Sequence, residues 1–129
     1  MIVIMFQSRF ARKVESGEKP HTIRLPRKNP IKAGDELSLR EWLGKPYRSK
    51  QQVLMETVCT SVRPIEISQR DIWLNDDPFN ALTLAKNDGF SSIGEMIDWF
   101  ETTHGLPFQG VLIEWQPTRS SEQRQGEDK

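Results

Sequence analysis

Apolar and polar positions along the chain fall into short blocks with two different periods. Ile2 to Phe6 is a continuous apolar run of strand length and predicts a buried strand. It leads into a segment ending at Ser16 in which Phe10 and Val14 lie one helical turn apart, with Ser8 placed to cap a helix and Gly17 to end it. Pro20 forbids a helix across Lys19-Pro20-His21-Thr22-Ile23-Arg24, and the β-branched pair Thr22-Ile23 favours a strand. Leu25 to Ala33 carries Pro26 and Pro30 among Arg27, Lys28 and Lys32, so it reads as an exposed basic connection that Gly34-Asp35 turns into a new strand.

That strand, Glu36 to Trp42, sets Leu37 and Leu39 against Ser38 and Arg40, one face core and the other wet, and Gly44-Lys45-Pro46-Tyr47-Arg48 breaks it. Gln52 to Val62 is the longest strand candidate, followed by Ile65-Glu66-Ile67. Asn80 to Asn87 places Ala81, Leu82, Leu84 and Ala85 at helical spacing and stops at Asp88-Gly89. A second helix starts at the capping box Ser92-Ile93-Gly94-Glu95, presents Ile93, Met96, Ile97 and Phe100 as a stripe, and closes at Gly105. Val111 to Trp115 is the last strand, and the polar stretch after it predicts a mobile tail over 117–129. Four or five antiparallel strand candidates with two or three short helices predict an α+β fold, a small mostly antiparallel barrel over residues 1–116 rather than a doubly wound parallel sheet.

A length of 129 residues predicts one domain and one core, which argues against a multidomain enzyme or a large cofactor scaffold. No apolar run approaches the ~18 residues of a membrane span, and the N-terminal segment lacks the marks of a secretory leader. The expectation is a soluble cytoplasmic protein without a membrane partner. One cysteine, Cys59, and two histidines, His21 and His104, form no zinc-ligand pattern, so neither a metal nor another cofactor is expected. Charge changes the picture more. The net charge of zero divides into thirteen basic against six acidic residues over 1–64 and five against twelve over 65–129. The basic density peaks between Lys19 and Lys50, as a nucleotide-like or phosphate-bearing ligand requires, although a solvated basic face has the same composition.

Gly-rich phosphate loops, His-Glu-x-x-His, Gly-x-Ser-x-Gly and paired cysteines are all absent. What remains is Gly17 to Arg24. A threonine hydroxyl needs a base, and Lys19 three positions before Thr22 serves only if it is desolvated enough to lose its proton and if the Pro20 bend brings it back over the threonine. By residue type alone, a half-buried sheet threonine and a solvent-facing lysine are the commoner occupants of such positions.

The helix-Gly-x-Lys-x-x-Thr-Ile-Arg pattern of Phe10 to Arg24, the basic Pro-rich loop, the strand start Gly34-Asp35-Glu36-Leu37 and the later Asp88-Gly89-Phe90-Ser91-Ser92 together resemble the ASCH domain of the PUA-like superfamily, over roughly residues 2 to 115. The resemblance implies a small β-barrel with flanking helices around a cleft. For one bacterial branch it also implies an amidohydrolase that removes the acyl group from N4-acetylcytidine, with a lysine, a threonine and a glutamate as the catalytic set. These fall on Lys19, Thr22 and Asp88, the last shorter than glutamate by one methylene. On that reading Lys19 takes the proton of Thr22, Thr22 attacks the N4-acyl carbonyl, and Asp88 orients Lys19 and aids proton transfer to the leaving amine.

Arg24, on the Thr22 face of its strand, stabilises the oxyanion or holds the nucleoside, or simply pairs across the barrel; His21, on the other face, reads as a core or rim residue. Trp42, Tyr47 and Trp73 are candidate stacking partners for a pyrimidine. Lys45, Tyr47 and Arg48, outside the amidohydrolase pattern, are expected to close over a ligand or grip a phosphate backbone. With Arg24, Arg27, Lys28 and Lys32 they also compose the alternative, an RNA-binding or RNA-cleaving PUA-like module. The expected partner is accordingly a modified cytosine nucleoside or RNA.

Overall fold

A computed structural model describes residues 1–74 and 79–116. In chain order the described elements are β1 (Ile2–Phe6), α1 (Ser8–Ser16), β2 (His21–Arg24), β3 (Glu36–Trp42), β4 (Gln51–Ile67), β5 (Ile72–Leu74), α2 (Ala81–Asn87), α3 (Ile93–His104) and β6 (Phe108–Trp115). The tail expected over 117–129 lies outside the described residues.

The architecture is α+β, with one mixed sheet in the order β1-β3-β4-β6-β2 and β5 added on β4. β4 is its spine. Gln51 to Val58 pairs antiparallel with β3, and Cys59 to Ile67 pairs antiparallel with β6. One register break lies within the β3–β4 ladder, between Leu39 and Arg40, and another, between Cys59 and Ser61, lies where β4 passes from β3 to β6. β1 runs parallel to β3, whereas β2 runs antiparallel to β6. The strand order leaves β1 and β2 as the two ends, and the sheet is not closed into a barrel.

Several local expectations are corrected here. Ser8 is the first residue of α1 rather than its cap; Gln7 occupies that position and makes no side-chain cap bond. β1 is an end strand with Ile4 and Phe6 buried and Val3 exposed, so it is only half buried. Ser38 is fully buried rather than wet, and its hydroxyl is satisfied there by accepting from Arg40 Nε at 2.8 Å. β4 continues through Pro64, which sits one position before β5 joins the strand, so a second neighbour does not yet demand the missing N–H. Ser92 caps α3 as expected by accepting from Glu95 N at 3.0 Å, while the Glu95 carboxylate takes the Ser91 N–H and Arg9 instead of completing the box.

The core lies under α1, which packs on β3 and β4, and α3, which packs on β6. Leu37, Leu39, Ile65, Ile67, Met96 and Phe100 are among its largest sealed side chains, each worth about 1.5–3 kcal/mol of burial. Gly110 on β6 matters for the site, because a Cβ there would stand 2.4 Å from the Arg24 carbonyl and 2.6 Å from the Phe108 ring. Gly110→Ala must push β2 off β6. Urea unfolding is expected to show a loss of roughly 1–3 kcal/mol or more, with the position of Arg24 disturbed as well.

Candidate active site

The cleft lies between the two sheet ends. Arg24 reaches across from β2, where its Nη2 donates to the Met5 carbonyl of β1 at 2.7 Å and its guanidinium sits 4.8 Å from the centre of the Phe6 ring. A cavity of about 570 Å³ opens there, within the range of small-molecule sites. Residues 3–6 of β1 and 22–24 of β2 form two of its walls, α1 and α3 contribute Phe10 and Trp99, and Lys19 and Asp88 also line it.

Lys19 arrives there because α1 ends abruptly. Gly17, at φ 89°, bonds back to the Val14 carbonyl, and the Lys19 N–H bonds the Lys13 carbonyl at 2.9 Å. Pro20 then sends the chain into β2. Lys19 is 3% exposed, and its Nζ donates to Asp88 Oδ1 at 2.6 Å and to the Asp88 carbonyl at 2.7 Å, 5.0 Å from the centre of the Phe10 ring. Asp88, also 3% exposed, is the C-cap of α2, with its N–H on the Leu84 and Ala85 carbonyls. The following Gly89 has φ 102°, and a Cβ there would meet Phe10 at 2.8 Å, so the turn can lie against α1 only without a side chain. Lys13 Nζ holds the same turn by donating to the Gly89 carbonyl at 3.3 Å. This close seat gives the short carboxylate direct reach to Lys19.

Thr22 is buried in the same cavity wall, and its Oγ1 accepts from Arg24 Nε at 3.0 Å. A cation donating to that oxygen favours its alkoxide form. Burial lowers the Lys19 pKa from the ordinary lysine value, against the opposing Asp88 carboxylate and with help from Arg24 and Lys13. Burial likewise raises Asp88, with Lys19 and then Arg24 opposing. Both members of the pair are thus pushed toward their neutral forms. Burial also takes Arg24 down to about 10.

Of the residues singled out in the sequence, Lys19, Thr22, Asp88, Arg24 and Arg27 line one cavity, Arg27 as an exposed residue. Lys28, Lys45, Tyr47 and Arg48 do not, contrary to the expectation that they contact the same ligand. The last three lie in the turn joining β3 to β4, pinned by the Leu43 N–H to Lys50 carbonyl bond and by the Arg48 N–H to Lys45 carbonyl bond. Tyr47 is 89% exposed there and packs against Trp42 at 5.2 Å. Trp42 and Trp73 are also absent from the cavity wall; the aromatic residues that line it are Phe6, Phe10, Phe90, Trp99, Phe100 and His104. The helical stripe of α3 was legible, but Trp99 and His104 lie beside it, facing the cleft.

His21 was expected in the core or rim and is 3% exposed, yet its Nε2 lies 3.4 Å from Asp88 Oδ1. Among the described residues no three His, Cys, Asp or Glu side chains gather as a metal site requires. Comparison of the chain with protein-family models, with curated proteins and with solved structures gives no match, so the resemblance to the ASCH domain rests on this chain's residues alone.

Proposed function

We propose that the chain is an ASCH-type amidohydrolase of the PUA-like superfamily that removes the acyl group from N4-acetylcytidine or a related N4-acylated cytosine nucleoside in the cytoplasm. The observation that carries this reading is a buried lysine, driven toward its neutral form and gripped by a buried carboxylate, in the same cavity wall as a buried threonine hydroxyl. Perturbed acid–base groups sharing a cleft with a nucleophile are the signature of a reacting site. In this reading the curved sheet is the family's barrel, and the ligand occupies the seam between β1 and β2.

Neutral Lys19 takes the Thr22 proton as Oγ1 attacks the acyl carbonyl carbon, forming a C–O bond and placing the carbonyl electrons on oxygen. The Arg24 guanidinium beside Thr22 stabilises that oxyanion. Lys19, now an ammonium held by Asp88, returns the proton to the N4 nitrogen as the C–N bond breaks. Water, deprotonated by the same lysine, then attacks the acyl carbon, the bond from that carbon to Thr22 Oγ1 breaks, and the lysine returns its proton to Oγ1 as the acid leaves. Phe6, Trp99 and His104 supply flat walls for a pyrimidine.

The active form has Lys19 unprotonated. Therefore kcat/KM should be low in acid and rise with pH through an ionisation below that of an ordinary lysine, and Lys19→Arg, which cannot lose its proton, should be inactive at every pH.

One observation favours the second reading, an RNA-binding module: the exposed Tyr47, packed on the half-buried Trp42, stands beside the exposed Lys45 and Arg48, outside the cavity. Incubation of the purified protein with N4-acetylcytidine and a labelled RNA in one buffer separates the two. The amidohydrolase releases cytidine and acetate at a rate little changed by salt. RNA retention that falls steeply between roughly 50 and 200 mM salt, with no acetate released, would replace it with the binding module.

A further inference from the structure

His21 lies outside the mechanism above and off the cavity wall, but it touches the mechanism's carboxylate. Its ring is buried between β2 and the end of α2, where the Leu84 carbonyl engages it. The same carbonyl accepts the Asp88 N–H at 3.0 Å, so ring and carboxylate are fixed to one turn. Among the described residues Nε2 has no hydrogen-bond partner. With the Leu84 carbonyl favouring a proton on Nδ1, the neutral ring leaves a lone pair on Nε2, 3.4 Å from Asp88 Oδ1. Two lone pairs facing each other in a buried site repel, whereas one proton between them makes a hydrogen bond.

We infer that His21 is a positioning residue that accepts a hydrogen bond from protonated Asp88, so that the Lys19–Asp88 pair can pass its proton to the carboxylate and leave Lys19 neutral. The step balances within the pair: an N–H bond of Lys19 breaks, an O–H bond forms on Asp88 Oδ1, and the hydroxyl turns from Nζ to Nε2. Both charges vanish together, which removes the cost of keeping two ions in a sealed site. His21 does not itself take the proton, because burial, then Lys19 and Arg63, bring its pKa down to about 3. The charged groups acting on the triad are few. Arg24 and Lys13 lower Lys19, and Arg24 opposes burial at Asp88.

This inference deepens the reading of Lys19 as a base, and its test needs no substrate. Infrared spectroscopy of the whole protein with labelled aspartate should show a carboxylic-acid C=O band at neutral pH, identified as Asp88 by its disappearance in Asp88→Asn. His21→Phe, which removes the acceptor, should abolish or shift that band and move the pH dependence of Lys19 acylation by an amine reagent upward by about one unit. His21→Gln, which keeps a carbonyl acceptor, should retain both. A wild-type protein with no Asp88 acid band overturns the inference, as does a His21→Phe protein with an unchanged band and lysine profile. If His21→Phe fails to fold, the wild-type and His21→Gln spectra still decide, and loss of the band in a folded Gln variant overturns the acceptor role. A protein that shows the band and no deacylation keeps this inference while losing the proposed activity; one that deacylates without the band does the reverse.

Discussion

Thr22→Ala is expected to lower turnover of N4-acetylcytidine on the order of 10³-fold or more, because it removes the only atom assigned to form the new C–O bond. The fold should survive. Thr22 is a strand residue paired with Ile113, and among the described residues its hydroxyl makes one hydrogen bond, accepted from Arg24 Nε. Losing that acceptor leaves Arg24 still bonded to the Met5 carbonyl, at a cost of about 1–2 kcal/mol. KM should move little while kcat collapses, as for an interaction made in the transition state. Thr22→Ser, which keeps the oxygen, should restore much of the rate. A Thr22→Ala protein with wild-type turnover would leave Thr22 as an ordinary sheet residue.

The second large effect concerns stability and separates it from chemistry. Asp88→Ala leaves the buried Lys19 either charged without its carboxylate or forced to give up its proton, and Lys19→Met leaves Asp88 sealed beside His21. Each single change is expected to cost about 3–5 kcal/mol in urea unfolding at a pH where it strands the partner as an ion, and less where the partner is neutral. The double variant Lys19→Met/Asp88→Ala strands neither, so its loss should fall well below the sum and resemble that of a core substitution leaving a small cavity. All three proteins should be inactive. A double variant as unstable as the sum of the singles would mean that the pair is not coupled in the folded protein.

Some helix ends were legible because they depend on single residues, although Ser8 is not the cap of α1. Gly17 ends α1 at a positive φ, Ser92 caps α3, and Gly105 closes it. Pairing over long distances was not. The parallel β1–β3 ladder and the short β5 depend on what β3 and β4 offer as neighbours, and no local pattern in Ile2 to Phe6 or Ile72 to Leu74 distinguishes those partners. The strand candidate Gln52 to Val62 stops short of Pro64, whereas β4 runs on through it because the missing N–H faces an edge that no neighbour yet occupies.

The site divides in the same way. Lys19 and Thr22 were found through a motif spanning four residues, and Asp88 through a second motif; the 2.6 Å contact between them closes a gap of 69 positions. His21 stood on the wrong face of the strand for a residue working with Thr22. Its contact runs through the α2 C-cap, which strand alternation cannot reveal. The loop from Gly44 to Lys50 was weighted by its charges, but charge does not say which surface a hairpin tip occupies.

The claim at the centre is that Thr22 becomes acylated, and intact-mass and peptide mass spectrometry of a rapidly quenched reaction tests it most directly. With N4-acetylcytidine, and turnover slowed by Asp88→Asn, the peptide containing Thr22 should gain one acetyl group that is absent from Thr22→Ala. Release of cytidine without any acetyl group on that peptide, at a rate that Thr22→Ala leaves unchanged, would contradict it.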